Sequence, residues 1–338
     1  MRRIGFWMAM IGVCGMVFVG GCAKHAKVAS AETKTTAKAV QKPVGKPVIL
    51  SLKFNASDMN TYKVVTESVK DYKFEQPSLN QTKEEQTLNR VEVVYDQKTQ
   101  SIDPMGNAKA LITIKEVKYL SKNPKGITLD FDSAKGGKET LNNLIGQSYV
   151  VTITPAGEVI AVSDVQKAID AVKGDSMEQK VAQSLLADEA IKQRHTLIAL
   201  PEKKDSSAMV GKSWSKIKGS PAGMLTPKSY EKIYTLSEVK DEQVAVVNMD
   251  ARPTAVKAAD MPKDDAKGMG FFGKMFDNKE TYTGKLLLDT HTGKVNGYSE
   301  KLKSEWVAIE PAEEQKSDKG PDVLTMGFTY MYSIEAIK

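Results

Sequence analysis

Apolar and polar residues alternate through much of the chain beyond residue 47. This period of two is typical of strands in an antiparallel sheet that turns one face toward a core. Asn-Pro, Lys-Gly and Gly-Gly steps between the alternating stretches supply turn residues. The first half of the chain therefore predicts antiparallel strands, and the alternation is clearest in residues 48–55, 89–96, 110–117 and 126–132.

The same alternation returns later in the chain. Residues 148–163 predict a hairpin that turns at Pro155-Ala156-Gly157, and residues 229–249 predict another that turns near Lys240. Residues 283–310 predict two or three further strands. The final alternating stretch places six large residues on one face and requires a core or a groove beside it: Leu324, Met326, Phe328, Tyr330, Tyr332 and Ile334.

The period changes to that of a helix between these two regions. Residues 165–174 predict a short helix that ends at Gly174, and Ser176 is a suitable N-cap for a longer helical pattern that stops before Pro201. The sequence thus predicts a mainly β fold of antiparallel sheets with one helical segment at about residues 164–199. Two related β lobes and a half-barrel are the alternative architectures.

Two ten-residue stretches resemble each other. TPAGEVIAVS at 154–163 and THTGKVNGYS at 290–299 share Thr, Gly, Val and Ser at identical spacing. Either the chain contains a duplication, or hairpin turns impose the same residues twice. A duplication predicts one β lobe at 48–163, a helical connector at 164–200 and a second β lobe at 201–338.

The first 22 residues have the pattern of an export signal. Arg2 and Arg3 precede an uncharged, mostly apolar run, and small residues lead to Cys22. The run is shorter than the roughly 20 residues of a membrane-spanning helix. The stretch V-G-G-C resembles the bacterial lipobox, which implies removal of residues 1–21 and attachment of diacylglycerol and palmitate-type acyl chains to Cys22. An uncleaved anchor, or a plain signal with a chance cysteine, is the alternative.

Residues 22–47 predict a flexible tether because they are rich in Lys, Ala and Thr and have no aromatic residue. Of the 48 basic and 42 acidic residues of the chain, eight basic residues and one acidic residue precede residue 50, which leaves 40 basic and 41 acidic residues in 50–338. The basic character therefore belongs to the signal and the tether, and nucleic-acid binding is not expected. The tether lysines keep the linker soluble or attract anionic lipid head groups.

One family resemblance follows from the order of these features. Strands, the stretch GQSYVVTITPAGEV at 146–159, a helical segment and VGKSW at 210–214 resemble a group of bacterial envelope lipoproteins that are known only as domains of unknown function. The resemblance covers about residues 48–338 and implies a secreted, lipid-anchored, β-rich domain without a catalytic residue. A looser likeness in element order is to half-barrel lipoprotein carriers, whose curved sheet encloses an apolar cavity.

Residues that could carry catalysis or bind a metal are scarce. The three histidines, His25, His195 and His291, have no zinc-site spacing, and no nucleophile, phosphate-binding or EF-hand motif is present. We therefore expect no enzyme activity, no cofactor and no metal site. His195 is expected to cap the end of a helix. Trp214 is expected in a core or at a strand edge, with a stacking platform as the alternative.

The stretch GMGFFGKMF at 268–276 fits neither period. Its apolar side chains would each be worth roughly 1.5–3 kcal/mol if buried. The segment either folds over the sheet as a plug or forms a lip that contacts an apolar ligand, a partner or the bilayer. The candidate contact residues are Met269, Phe271, Phe272, Met275 and Phe276.

The sequence thus predicts a monomeric envelope lipoprotein that is held to a membrane by lipid on Cys22. Ala23, and not Asp, follows the cysteine, which resembles the outer-membrane default of enterobacterial lipoproteins and implies the periplasmic side of the outer membrane rather than the inner membrane. The expected function is non-enzymatic binding of an apolar ligand or an envelope protein near the membrane. The alternative is a structural or assembly-scaffold lipoprotein with no ligand.

Overall fold

Fourteen strands and three short helices make up the part of the chain that the computed structural model describes, namely residues 44–136, 140–261, 276–313, 315 and 318–337. The strands are β1 Val44–Ile49, β2 Met59–Gln76, β3 Gln81–Ile102, β4 Ala108–Asn123, β5 Gly126–Asp132, β6 Ser148–Ile153, β7 Val159–Ser163, β8 Ser207–Val210, β9 Ser213–Gly219, β10 Ser229–Lys240, β11 Val244–Thr254, β12 Asp277–Asp289, β13 Val295–Ile309 and β14 Val323–Ile337. The helices are α1 Gln166–Ala171, α2 Met177–Leu185 and α3 Asp188–His195.

Twelve of the strands form one open antiparallel sheet. Its order is β7-β6-β4-β3-β2-β14-β13-β12-β11-β10-β9, and β5 pairs with β4. The strands β1 and β8 form a separate two-stranded antiparallel sheet. The prediction of a mainly antiparallel β fold with one helical segment is therefore confirmed.

The strands β2 and β14 join the two β regions of the sequence in the middle of the sheet. Their ladder runs without a register shift from Glu75 opposite Val323 to Thr61 opposite Ile337. The six large residues predicted to share one face of β14 do so: Phe328, Tyr330 and Tyr332 are buried, and Leu324, Met326 and Ile334 are half-buried. The two β regions thus form one continuous sheet.

The sequence patterns did not predict β2. We call inner the face of the sheet to which its buried side chains point, such as Tyr62 and Val64 on β2. Side chains alternate along a strand, so the next inner positions of β2 are Thr66, Ser68 and Lys70. These polar residues interrupt the apolar alternation and conceal the strand.

The helical segment is divided where the pattern predicted one longer helix after residue 176. Ser176 caps α2 as predicted, and its hydroxyl accepts from Gln179 N–H while the Gln179 side chain accepts from Ser176 N–H. The chain then turns at 186–187 before α3. Arg194 donates to the Leu185 carbonyl over 2.8 Å and so satisfies an acceptor at the end of α2.

Helix α3 and residues 220–228 contact the inner face of the sheet. Tyr332 on β14 donates through its hydroxyl to the Arg194 carbonyl of α3 over 2.9 Å. Residues 220–228 also contact this face: Met224 is buried, and Gly223 lies beside Lys70 and Phe328. No helix in these residue ranges is long and apolar enough to cross a membrane.

The ordered domain begins before the predicted end of the tether, because β1 starts at Val44. The strand predicted at 48–55 ends at Ile49, and the following segment is irregular. Its backbone is nevertheless fixed: Leu50 N–H donates to Ser206, Leu52 N–H to Pro155 and Lys53 N–H to Gly293. The segment therefore binds both of the similar turns that the sequence contains.

Candidate functional site

A cavity of about 50 Å³ lies where the segment after β1 meets the two similar turns. Leu52 N–H donates to the Pro155 carbonyl over 2.8 Å, and Lys53 N–H donates to the Gly293 carbonyl over 3.3 Å. These bonds place the segment across one end of the sheet. The cavity walls combine apolar and polar side chains, and the apolar ones include Leu52, Phe54, Ile153, Leu197, Val295 and Ile334.

His195, the last residue of α3, lines this cavity. Its Nε2 lies 2.8 Å from the hydroxyl of Tyr149, and Arg194 Nη1 donates to the same hydroxyl over 3.2 Å. The imidazole also packs edge-on against Tyr95, with ring centroids 4.5 Å apart. In the described part of the chain, the buried Nδ1 of His195 has no hydrogen-bond partner. The expectation that His195 caps the end of a helix is therefore wrong. Its side chain instead belongs to a buried hydrogen-bonded chain with Tyr149 and Arg194.

Burial and the neighbouring Arg194 guanidinium hold the pKa of His195 well below its ordinary value of 6.5. Burial also raises the pKa of Tyr149, so its hydroxyl stays protonated at neutral pH. His195 is consequently a neutral imidazole, with one nitrogen that donates and one that accepts.

Two ammonium groups and one carboxylate flank the cavity. Lys294 Nζ lies 3.5 Å from the Asp58 carboxylate, and all three residues Lys53, Asp58 and Lys294 line the opening. Lys53 Nζ donates to the Thr290 and His291 carbonyls over 2.9 and 3.0 Å. The opening therefore carries a net positive charge.

A second polar cluster lies on the inner face between β10 and β13. Lys232 Nζ is 2.6 Å from Glu300 Oε2, and both side chains are at most 5% exposed. Tyr282 donates to Glu300 Oε2 over 2.5 Å, and Tyr298 donates to Glu300 Oε1. Lys232 Nζ also lies 4.6 Å from the ring centroid of Tyr282. Burial by itself raises the pKa of Glu300, but the Lys232 charge and the tyrosine hydroxyls outweigh it and lower that pKa.

The far end of the inner face, beside the β2–β3 turn, carries a row of apolar side chains that we call the apolar trough. Phe74 pairs with Leu324, and Tyr72 pairs with Met326. Trp306 and Ala308 continue these two rows onto β13. Trp306 is buried, whereas the other members are half-buried: Tyr72, Phe74, Ala308, Leu324 and Met326.

The cavity and the apolar trough lie at opposite ends of β2. Tyr62 lines the cavity and Phe74 lies in the trough. Twelve residues of extended strand separate them by about 40 Å. On β13, Glu300 of the Lys232–Glu300 cluster stands six residues before Trp306 of the trough, about 20 Å along an extended strand, so the cluster and the trough are distinct sites.

Most residues predicted to contact a ligand lie outside the described residues, as does Cys22. These are Met269, Phe271, Phe272 and Met275. Phe276 is described, is half-buried and packs against the core. Trp306 is a core residue. Trp214 stacks on Tyr234 with ring centroids 6.0 Å apart and donates to the Ala199 carbonyl.

Lys232 and Glu300 were not predicted, although the sequence contains a signal for both. Lys232 stands between Tyr230 and Tyr234 in the alternation of β10, and Glu300 stands between Tyr298 and Leu302 in that of β13. A charged residue at an inward position needs a partner. Over the residues that the structure covers, no three His, Cys, Asp or Glu side chains are grouped closely enough to hold a metal ion.

Comparisons with solved structures find weak similarities. A structure described as lipid–protein interactions in lipovitellin aligns with a TM-score of 0.40 and 9% identity, over 85% of this chain and 26% of that chain. OccK5 (OpdH) of Pseudomonas aeruginosa aligns with a TM-score of 0.23 and 6% identity, over 83% and 99%. DynF from the dynemicin biosynthesis pathway of Micromonospora chersina gives 0.15 and 10%, over 87% and 89%. This chain thus spans about a quarter of the lipovitellin chain.

None of the curated proteins matches the sequence. One family profile does match, over residues 105–295, which is more than half of the chain. The match includes β4 to β12 and thus strands on both sides of the helices. The chain belongs to DUF6263, a family of unknown function.

Proposed function

We propose that this protein is a lipid-anchored protein of the bacterial envelope that binds the acyl chain of a lipid in the apolar trough without catalysing a reaction. The observation that carries the proposal is the partial exposure of the apolar side chains in the trough. Phe74 and Leu324 face each other across β2 and β14, and Tyr72 and Met326 form the adjacent row, yet all four are only half-buried.

The composition of the trough supports an apolar ligand. A large apolar side chain gains roughly 1.5–3 kcal/mol when it is fully buried, so a contiguous half-buried set leaves free energy for a ligand to recover. Tyr72 and Met326 add an aromatic ring and an adaptable thioether, both of which suit a flexible hydrocarbon chain. Lys83, beside Phe74 on β3, is 65% exposed at the rim and pairs with Glu85 over 2.9 Å, so the rim at this point carries no net charge.

The proposed anchor supports a lipid as the source of the acyl chain. Lipid on Cys22 would hold the domain near a bilayer through residues 23–43. A flexible linker of about 20 residues has a root-mean-square span of about 25 Å. The domain would therefore stay within reach of membrane lipid. Ala23 after the cysteine favours the outer membrane in this proposal.

Titration with a fluorescent fatty acid tests the trough. We expect Phe74→Ser and Leu324→Ser to weaken binding by about tenfold each, because each removes apolar contact worth about 1.4 kcal/mol or more. Ile309→Ser is the matched control, since Ile309 is 58% exposed at the same end of β13 but on the outer face. Equal affinity in all three variants, or no binding by the native chain, would exclude the trough as the ligand site.

Phe271 and Phe272 lie outside the described residues, and mutation distinguishes the two roles expected for them, a lip and a plug. If these residues act as a lip, the double change to Ser leaves the free energy of unfolding nearly unchanged and weakens binding of the fatty acid. If they act as a plug, the change costs several kcal/mol and leaves binding intact, since loss of a buried Phe costs about 3–5 kcal/mol. The plug outcome would favour the alternative function, a scaffold lipoprotein with no ligand.

Fractionation of cells tests the anchor separately. Cys22→Ala is expected to release the protein from membranes after high-salt and carbonate washing while its circular dichroism stays unchanged. Density-gradient separation of the native protein then distinguishes the outer from the inner membrane. A Cys22→Ala variant that remains in the membrane pellet would contradict the lipid attachment but would leave the trough result standing.

A further inference from the structure

Two neighbouring grooves lie on the outer face of the sheet, opposite the face that α3 contacts. The larger groove, of about 530 Å³, is lined by residues of β11, β12, β13, β14, β2 and β3. The smaller groove, of about 500 Å³, is lined by residues of β14, β2, β3 and β4. Both volumes fall in the range of sites that bind organic ligands. The outer face therefore offers a concave surface of the size that a ligand requires.

A single row of directly opposed residues joins the two grooves. Each member of the row pairs with the next across adjacent strands, from β11 to β3: Asn248, Lys285, Ser299, Ser333, Val65 and Glu92. The first five line the larger groove, and Glu92 lines the smaller one. Five strand spacings correspond to about 24 Å. The row therefore forms an elongated path across the strands, which suits a linear ligand.

Short polar side chains form much of the larger groove. Thr283, Ser299 and Ser333 contribute hydroxyl groups, and Asn248 contributes an amide. Thr283, Ser299 and Asn248 are exposed. Hydroxyl and amide groups each donate and accept hydrogen bonds, as the hydroxyl groups of a sugar also do. This lining is therefore suited to a ligand with many hydroxyl groups.

Two lysines give one half of the path a positive charge. Lys285 and Lys301 are exposed and line the larger groove, and the residues directly opposite them on the neighbouring strands are uncharged. Arg90 also lines this groove but is paired with two glutamates of β2 and β3. Glu300 is a lining residue whose carboxylate points to the inner face, where it binds Lys232. The lysine half of the path therefore favours an anionic group.

The smaller groove has balanced charges. Its lining contains three lysines and three acidic residues: Lys63, Lys115, Lys118, Glu92, Asp96 and Glu116. A nucleic acid requires positive charge along its whole length, so this half of the path does not suit one. A peptide that adds to a sheet requires a free strand edge, whereas the strands beneath the row from β12 to β3 are paired on both sides.

We propose that the outer face binds a linear acidic polysaccharide, a glycan whose sugar units carry carboxylate groups. The glycan lies across the strands along the row from Asn248 to Glu92. Its hydroxyl groups bond to the short polar side chains, and a carboxylate faces Lys285 and Lys301. The site is independent of the apolar trough, which lies on the inner face.

Calorimetric titration of the full chain with a linear hexamer of galacturonic acid tests the two lysines. The double variant Lys285→Gln, Lys301→Gln is expected to bind about tenfold more weakly than the native chain. Lys279→Gln is the matched control, because Lys279 is exposed on the same face of β12, six residues or about 20 Å from Lys285. Its affinity should change by less than about twofold. Equal affinities in the double variant and the native chain would overturn the proposal.

A bulky side chain in the path tests the groove separately from its charge. Ser299→Leu places an isobutyl group in the middle of the row and should weaken binding of the hexamer by at least about tenfold. Thr281→Leu makes a similar change at an exposed position of the same face that does not line either groove. Thr281→Leu should leave the affinity unchanged, and both variants should keep the native urea midpoint. Full binding by a folded Ser299→Leu variant would contradict the path.

Two further probes separate the sugar from the charge. The methyl ester of the same hexamer keeps the hydroxyl groups without the negative charges, and we expect it to bind several-fold more weakly and to be insensitive to the lysine substitutions. A linear polyphosphate has the charge without the hydroxyl groups and should bind more weakly than the hexamer. A polyphosphate that binds as tightly as the hexamer would show a general polyanion surface and would overturn the glycan site.

Discussion

Lys232 and Glu300 form a buried ion pair although two strands of the sheet, β11 and β12, separate the strands that carry them. Three strand spacings on a flat sheet correspond to about 14 Å. The ammonium and carboxylate groups are nevertheless 2.6 Å apart. The two side chains therefore extend toward each other over the inner face of β11 and β12, and the ion pair connects β10 to β13.

Breaking this pair is expected to destabilise the fold strongly. Lys232→Met leaves a buried carboxylate without its cation, and Glu300→Gln leaves a buried ammonium without its anion. We expect each change to lower the free energy of unfolding by about 3–5 kcal/mol, and the double variant to be more stable than the sum of the two losses implies. Urea denaturation of the two single variants and the double variant measures these three losses of free energy.

The exposed pair of Lys240 and Glu238 provides the control for this experiment. Its charged atoms are 3.5 Å apart and both side chains are 52% exposed. Lys240→Met should change the free energy of unfolding by less than about 1 kcal/mol. Losses of that size for Lys232→Met would show that the buried pair adds no stability.

Stability should fall as the pH is lowered from 7.5 to 5.5 because of His195. Its pKa in the folded protein is held well below 6.5 by burial and by Arg194. The unfolded chain therefore takes up a proton that the folded chain does not, and each lost pH unit below 6.5 costs up to about 1.4 kcal/mol. Urea melts should show a loss of about 1 kcal/mol between pH 6.5 and 5.5. His195→Gln should remove this dependence, and an unchanged slope would contradict it.

Gly157 is expected to tolerate no side chain. Its φ is +80°, and a Cβ atom there would lie 2.6 Å from the Leu197 carbonyl oxygen. Gly146 has the same φ, but nothing lies within 4 Å of its Cβ position. Gly146→Ala therefore reports the backbone strain, about 1 kcal/mol, and Gly157→Ala should cost at least about 1 kcal/mol more. Equal losses in thermal denaturation would show that the turn can move away from Leu197.

The strand β1 should contribute measurably to stability. Val48 of β1 pairs with Ala208 of β8, and Val48 packs against the core. A chain that begins at residue 41 should unfold as cooperatively as one that begins at residue 23. A chain that begins at residue 50 loses β1, and we expect it to be less stable by about 1–3 kcal/mol. Identical urea midpoints for the chains that begin at 41 and 50 would contradict this contribution.

The alternation of apolar and polar residues predicted most of the strands because each strand has one face toward the core and one face toward solvent. It predicted β14 and its inner residues correctly. It failed for β2, where Thr66, Ser68 and Lys70 take inward positions near the middle of the strand. The length of the second predicted helix was overestimated because the helical period continues through the turn at 186–187, on either side of which Leu186 and Ile191 are both buried.

The candidate sites were less predictable because their parts come from distant places in the sequence. His195 finds its partner Tyr149 46 residues away, and Lys232 finds Glu300 68 residues away. No local pattern contains such pairs. Lys232 and Glu300 are each a charge on an apolar strand face, but only the folded structure shows that they meet.

The position of β2 and β14 side by side in the middle of the sheet affects the order of folding. The smallest separation between paired residues in this ladder is that of Glu75 and Val323, 248 positions apart. The hairpins on either side connect strands that follow each other closely, so each flank can form early. The β2–β14 ladder can form only after residues 323–337 have been synthesised. Its loop-closure entropy must be offset by the many hydrogen bonds of a long ladder. Until then each flank exposes an unpaired strand edge in the middle of the future sheet, and both edges need protection against aggregation until β2 and β14 pair.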